Sequence, residues 1–333
     1  MQQTHIKSQS ASAKAATAFK LPAALLLIAF LFSNCWCSLF ASHAVAAEKK
    51  VGILLTAKAP QYLDAIAGFK KENSDATFTV YDMKGRVSSG ADHLKAMQKD
   101  GVDMIYAVGV YALQVVSKQK SSVPVVYSMV MNPPLWMKNA PANITGASMN
   151  ASVERTFKLL KDVNPGLKKI GTIYEPTATA FLVERAKAAA LKHGMELIAV
   201  KAANTNEALG ALQRLRRRQI GAMWVVPARS VLQPKIMQQI TLFSFRQGIP
   251  MVGLLPKHCE MGSLLSVQFG DCVDIGQQAG EMAAAILKGE AKPSDIPFST
   301  ARKISLVLNM KTAKRIGVTI PRSVLDDAKK VIK

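Results

Sequence analysis

Two stretches of this chain are written on one plan, and that duplication limits the fold more than any motif does. The later copy has apolar, strand-like segments at 170–174, 195–200, 220–226 and 249–253, with helical segments between them. The earlier copy has them at 51–55, 77–81, 102–108 and 123–127. Val51 stands 119 residues before Ile170, Gly101 stands 120 before Gly221, and Pro124 stands 126 before Pro250. Short apolar runs alternating with helical periodicity mark βα units with strands buried on both faces. Two such units predict an α/β protein of two doubly wound parallel-sheet lobes joined by a hinge. A chain of 333 residues has the length for two such cores.

Local signals place the helices. Tyr62, Ile66 and Phe69 recur at helical spacing after the break at Pro60. Ser89 or Asp92 is positioned to cap the next helix, which Gly101 ends, and 111–118 is helical. Ser152 reads as the N-cap of a helix over 153–163, and Asn164-Pro165-Gly166 as a turn. The segment 141–146 reads as the passage into the second copy. After Pro256 the plan changes: 262–269 is one more strand, Asp274 opens a helix through Leu287, 302–308 is a last strand, and 311–316 and 322–331 are a helical tail. One extra strand and helix after two complete lobes imply a return to the first lobe and three crossovers. The expected partition is 1–47 as an export segment, 48–142 with 268–298 as the first lobe, and 143–267 with 299–333 as the second.

The first residues carry Lys7, Lys14 and Lys20, an apolar run over 21–32 and small residues up to Ala47, with no acid before Glu48. That is the layout of a secretory signal cleaved near Ala46 and Ala47, which implies a periplasmic protein; the alternative is an uncleaved membrane anchor. Three of the 43 basic residues and none of the 22 acidic ones precede Glu48, so the rest carries +18. The densest basic run, Arg214 with Arg216, Arg217 and Arg218, ends a predicted helix, where cations complement the helix dipole and need no partner. A DNA-binding regulator built on this fold needs an N-terminal helix-turn-helix, and residues 1–47 are an apolar export segment instead, so no nucleic-acid partner is expected. Cys259 and Cys272 either pair in an oxidising compartment or are two buried thiols.

In open parallel sheets, ligands bind beyond the carboxyl ends of the strands. Two lobes facing across a hinge therefore line one cleft with the loops 56–60, 109–111, 128–132, 174–177, 227–230, 254–257 and 269–271. The chain has no phosphate-binding Gly-rich loop, no G-x-G-x-x-G after its first strand, no H-E-x-x-H, no G-x-S-x-G and no zinc-spaced His/Cys cluster. No cofactor, metal or catalytic set is expected. A cleft without these, on an exported chain, points to binding; an enzyme would have to use Asp271, Glu175 or Cys259. Tyr62, Tyr111, Tyr174 and Phe269 fall near strand ends, where rings either stack on a ligand or fill the core.

Three stretches, Asn143-Ile-Thr-Gly146, Ile286-Leu-Lys-Gly-Glu290 with Pro293-Ser-Asp-Ile-Pro297, and Leu308-Asn-Met-Lys-Thr-Ala-Lys-Arg-Ile-Gly317 ending in Ile320-Pro321, carry a family resemblance. Residues 48–321 resemble the periplasmic substrate-binding component of ABC transporters. More narrowly, they are similar to the type I periplasmic-binding family that includes tryptophan- and other aromatic-amino-acid-binding proteins. The resemblance implies a solute binder that delivers a small ligand to an ABC permease in the inner membrane; the alternative is a sensor acting on a membrane receptor. The strand-end loops and the aromatics beside them, rather than the resemblance, supply the candidate ligand contacts: Thr56, Pro60, Tyr62, Gly109, Tyr111, Ser128, Asn132, Tyr174, Thr177, Arg229, Lys257 and Asp271. The chain departs from the family at Asn132-Pro133, where Asp-Pro is common. It departs again at Pro227-Ala-Arg-Ser230, where the family often places an Asp for a ligand's amino group. Arg229 either faces the cleft and, with Lys257, pairs with a carboxylate or phosphate, or lies along the surface; with the aromatics near the strand ends, the expected ligand is anionic or aromatic.

Overall fold

The computed structural model describes residues 48–118, 122–137 and 140–333, and Glu48–Lys333 form one compact unit. Residues 1–47, expected to form an export segment, lie outside the described residues. Within the unit are two α/β lobes, each built on its own sheet.

The first sheet opens with β1 (Lys49–Leu55), followed by α1 (Pro60–Glu72), β2 (Ala76–Asp82), α2 (Gly90–Asp100), β3 (Met104–Val108), α3 (Val110–Lys118) and β4 (Val125–Val130). From Val51 to Leu55, and throughout β3 and β4, every residue is buried, as strands covered by helices on both faces must be. β5 (Ile144–Ala151) then pairs parallel with β4, so the first lobe does not end at residue 142. The chain enters the second lobe through α4 (Val153–Val163), capped by Ser152 Oγ, which accepts from Arg155 N at 3.3 Å.

The second sheet repeats the pattern with β6 (Lys169–Tyr174), α5 (Pro176–Lys192), β7 (Glu196–Lys201), α6 (Thr205–Arg217), β8 (Ala222–Trp224), α7 (Pro234–Gln247), β9 (Met251–Gly253), α8 (Pro256–Glu260) and β10 (Leu265–Phe269). β10 also holds Gln268 and Phe269 in the second sheet, paired with Ser305 and Ile304, against the sequence boundary at 268. α9 (Cys272–Leu287) crosses back to pack on α1, and β11 (Ser299–Ala301) adds to β5 of the first sheet. β12 (Ile304–Asn309), α10 (Met310–Ile316), α11 (Arg322–Asp326) and β13 (Ala328–Ile332) finish the second lobe. The predicted closing helix over 322–331 is thus one short helix and an edge strand. Its charged residues Lys329 and Lys330 are exposed, which suits a sheet edge.

Strand order states the duplication plainly. The first sheet runs β2-β1-β3-β4-β5-β11 and the second β7-β6-β8-β9-β10-β12-β13. The first five strands of each correspond, including β5 with β10; β12 departs by running antiparallel to β10. A large apolar cluster of Phe157, Ile170, Trp224 and Ile240 centres the second lobe. Two clusters cover the faces of the first sheet, one around Phe69 stacked on Tyr106 at 3.8 Å.

The chain crosses between lobes three times, at Ala151 to Val153, Phe269 to Cys272 and Ala301 to Ile304. Ion pairs tie these strands of hinge together. Asp271 caps α9 by accepting from Asp274 N at 3.2 Å and also meets Lys303 Nζ at 2.9 Å. Arg302 reaches Glu281 at 2.8 Å and the buried Asp274 at 3.1 Å. The helix begins at Cys272 with Asp271 as its cap, two residues before the predicted opening at Asp274. Ser89 stands at the N-cap of α2, but its hydroxyl donates to Arg86 O at 2.9 Å instead of accepting from the helix.

Candidate functional site

On the first lobe's wall, four of the twelve sequence-picked residues come together. Thr56, directly after β1, accepts from Ala112 N through Oγ1 at 3.1 Å and so ties that loop to the start of α3. Gly109 ends β3 with φ 89°, and a Cβ there would lie 2.7 Å from Thr56 Oγ1 and 2.9 Å from Tyr62 Cζ. Only glycine both adopts that conformation and lets the Tyr62 ring approach the backbone. Tyr62, half-buried on α1, has its phenol pKa raised by burial and then by the neighbouring Tyr111. Tyr111 is 41% exposed, an aromatic surface left uncovered. Pro60 is exposed at the first position of α1 and sets where the helix carrying Tyr62 begins.

The loop after β4 carries backbone strain. Met129, near the end of β4 itself, and Asn132 in the loop both take left-handed conformations, φ 59° and 50°, which non-glycine residues seldom adopt. Asn132 is thereby turned toward the second lobe, and its Nδ2 donates to Pro227 O at 3.3 Å. Its backbone N–H donates to Asn150 Oδ1 at 3.2 Å. Ser128, by contrast, is fully buried with Oγ bonded to Tyr106 OH at 2.6 Å, so its hydroxyl serves the core.

In the second lobe, Tyr174 is half-buried against the core at the end of β6, and Thr177 is exposed with its hydroxyl 3.5 Å from Glu175 Oε1. Arg229 is exposed on the loop after β8, and its guanidinium makes no hydrogen bond or ion pair among the described residues. Lys257 is exposed on α8. Asp271 is occupied by the helix cap and by Lys303, whose hydrogen bond holds its carboxyl below the ordinary range. These residues do not form one cluster as the four of the first lobe do.

Sequence reasoning missed the residues nearest the crossovers. Between the lobes lies a cavity lined from the first by Met131, Met149, Asn150 and Ala151. From the second it is lined by Val153, Thr156, Leu182, Trp224, Pro227, Val252, Gly253, Leu254, Val267 and Gln268. No charged side chain is among them, and most are apolar. Phe181 and Arg185 of α5 also reach the first lobe, with Phe181 edge-on to Phe298 at 6.1 Å and Arg185 over the same ring at 5.6 Å. Met149 and Asn150, and Val267 and Gln268, stand just before the first two observed crossovers, and the sequence boundary placed the first of these too early, at 142, which hid the first pair. Cys259 and Cys272 are free thiols, the first buried in the second lobe with Sγ donating to Val307 O at 3.4 Å.

Two parallel-sheet lobes on three crossovers, with a largely apolar cavity between them, define a two-lobed solute-binding protein. The chain belongs to the ABC transporter substrate binding protein family, whose sequence profile matches residues 50–332. It is 24% identical over 292 residues to the tyrosine-binding protein of Clostridioides difficile strain R20291, covering 81% of each chain. Among solved structures it is similar to the ABC domain in complex with L-Trp from Streptococcus pneumonia. The two are 25% identical with a TM-score of 0.51, over 86% of this chain and 100% of that one. A ligand-free, open substrate binding protein with adhesive properties from Clostridium difficile shares the fold at 21% identity and a TM-score of 0.60, over 86% of this chain and 99% of that one. Members of this family bind solutes rather than transform them, and the chain is read accordingly as a binder and not an enzyme.

Proposed function

We propose that this is an extracytoplasmic binding protein that closes its two lobes on a small aromatic solute bearing a carboxylate and delivers it to an ABC permease. The observation that carries the reading is the cavity lined by both lobes, with no charged residue in its wall. Such a space favours a flat apolar group and disfavours a buried ion. The rings of Tyr62, beside Thr56 and Gly109, and of the neighbouring, exposed Tyr111 give the first lobe a surface on which a ligand can stack. Arg229, exposed on a loop of the second lobe, and Lys257, exposed on α8, supply donors for a carboxylate. The tyrosine-binding relative and the L-Trp complex support an aromatic amino acid as the solute. Residues 1–47, with their charged, apolar and small-residue segments, support export.

Calorimetric titration with L-tyrosine, L-tryptophan and L-phenylalanine tests the reading, alongside native mass spectrometry before and after mild unfolding. Saturable binding of at least one, weakened by Tyr62→Ala and by Arg229→Ala, is the expected result. No adduct, no heat and no thermal shift with any of them would remove the aromatic amino acid as the ligand.

A further inference from the structure

Asn150 stands at the end of β5, lines the interlobe cavity, and is nine-tenths buried, as is Asn132. Each amide has one end fixed by a backbone partner. Asn150 Oδ1 accepts from Asn132 N, and Asn132 Nδ2 donates to Pro227 O. Those bonds decide which way both amides face. They leave Asn150 Nδ2 and Asn132 Oδ1 buried with no hydrogen-bond partner. The remainder is therefore one donor on Asn150, which lines the cavity with Met131, Met149 and Trp224, and one acceptor on Asn132, whose backbone is bonded to that same side chain.

Buried polar groups are costly unless bonded, so this pair selects what can satisfy it. A carboxylate would meet an uncharged wall and an acceptor it repels. An ammonium would meet a donor in the same place. A neutral hydroxyl donates once and accepts readily, and so matches both ends. We propose that Asn132 and Asn150 read a hydroxyl at the apolar end of the ligand, so that a hydroxyaryl group is distinguished from its deoxy counterpart. The hydroxyl donates to Asn132 Oδ1 and accepts from Asn150 Nδ2, while charged groups of the ligand stay outside this cavity. The inference rests on the reading of the cleft as an aromatic-solute site, and it adds the residues that set specificity within it.

The test uses two probe pairs on the purified protein. L-tyrosine and L-phenylalanine are compared by calorimetry; p-cresol and toluene are compared through the carbon-13 methyl signals of Met131 and Met149. Tyrosine should bind at least about tenfold more tightly than phenylalanine, since a site built to bond a hydroxyl rejects the analogue lacking it. p-Cresol should move both methyl signals at concentrations where toluene does not. Asn150→Asp keeps the oxygen that holds Asn132 but replaces the donor, and should abolish both preferences in protein that still unfolds cooperatively. Preference for p-cresol without binding of either amino acid would uphold the hydroxyl site while removing the amino acid as solute. Equal responses to p-cresol and toluene, no response to either, or an undiminished preference in Asn150→Asp would overturn the proposal. Each of these would mean that solvent satisfies the pair.

Discussion

Gly276 of α9 packs directly on the carbonyl of Ala65 in α1, and a Cβ at Gly276 would run into that oxygen. Gly68 meets the backbone of Val273 in the same way from the opposite helix. The returning helix is therefore seated on the first lobe backbone to backbone. Gly276→Ala should force the helices apart and lower stability by about 3 kcal/mol, a fall in Tm of roughly 5 to 10 °C. Gly210→Ala is the control, because its Cβ meets only the tip of Arg214 at 3.6 Å and a helix interior favours alanine. It should gain about 0.5–1 kcal/mol. Equal Tm changes in the two variants would contradict the close packing of α1 on α9.

Asn132 couples the lobes through a single amide. Removing it in Asn132→Ala takes away the bond to Pro227 and leaves that carbonyl to solvent when the lobes part. The closed arrangement should lose about 1 kcal/mol relative to the open one. Small-angle scattering should then show a larger radius of gyration at subsaturating ligand, and ligand affinity should fall by about fivefold. An unchanged radius and affinity would show that closure does not depend on this contact.

How much of this was legible in the sequence follows from where the repeat is apolar. The first four strands of each lobe announced themselves because covered parallel strands need runs such as Ile53-Leu54-Leu55 and Ala222-Met223-Trp224. β5 did not, because Thr145, Gly146, Ser148 and Asn150 interrupt it. Two of these side chains are bonded from outside the strand: Thr145 Oγ1 donates to Ile296 O at 2.6 Å and Ser148 Oγ to Ser299 O at 2.8 Å. Both acceptors arrive from about 150 residues away along the chain, beyond the reach of any local pattern. Yet Ile144 and Leu265 begin corresponding strands 121 positions apart, within the same offset as the rest of the duplication. The site divides similarly. Thr56, Tyr62, Gly109 and Tyr111 follow from the strand-end rule, whereas the cavity wall is set by how the lobes meet.

Acid should loosen the hinge before it affects either core. Asp271 sits at one crossover and Lys303 at another, and their hydrogen bond lowers the aspartate pKa below its unfolded value. A depressed carboxylate stabilises the fold above its unfolded pKa and loses that contribution as pH falls through the folded one. Thermal stability should thus be level from pH 7 to about pH 5 as far as this group is concerned, and fall below roughly pH 4. Asp271→Asn should flatten that acid limb while lowering stability at neutral pH. The comparison is a Tm profile from pH 7 to pH 3 for both proteins. Parallel acid limbs would assign the loss to other carboxylates.

The two thiols of the folded lobes should differ sharply in reactivity. Burial raises the Cys259 pKa to about 11, and its residue is wholly covered. Cys272 is half-buried at the first turn of α9, with its thiol pKa raised by burial and then by Asp64 and Asp271. Alkylation requires the thiolate and access to it, so both should react slowly at pH 8 and Cys272 first. Labelling with iodoacetamide, read by the mass of each cysteine-containing peptide, should modify Cys272 over hours. Cys259 should be modified only after unfolding in guanidinium. Raising the pH to 9 should speed Cys272 while leaving Cys259 protected by the core. A peptide in which Cys259 and Cys272 are joined would show instead that the pair oxidises. That bond would tie the start of α9, seated on the first lobe, to α8 of the second, and the hinge would then carry a covalent restraint.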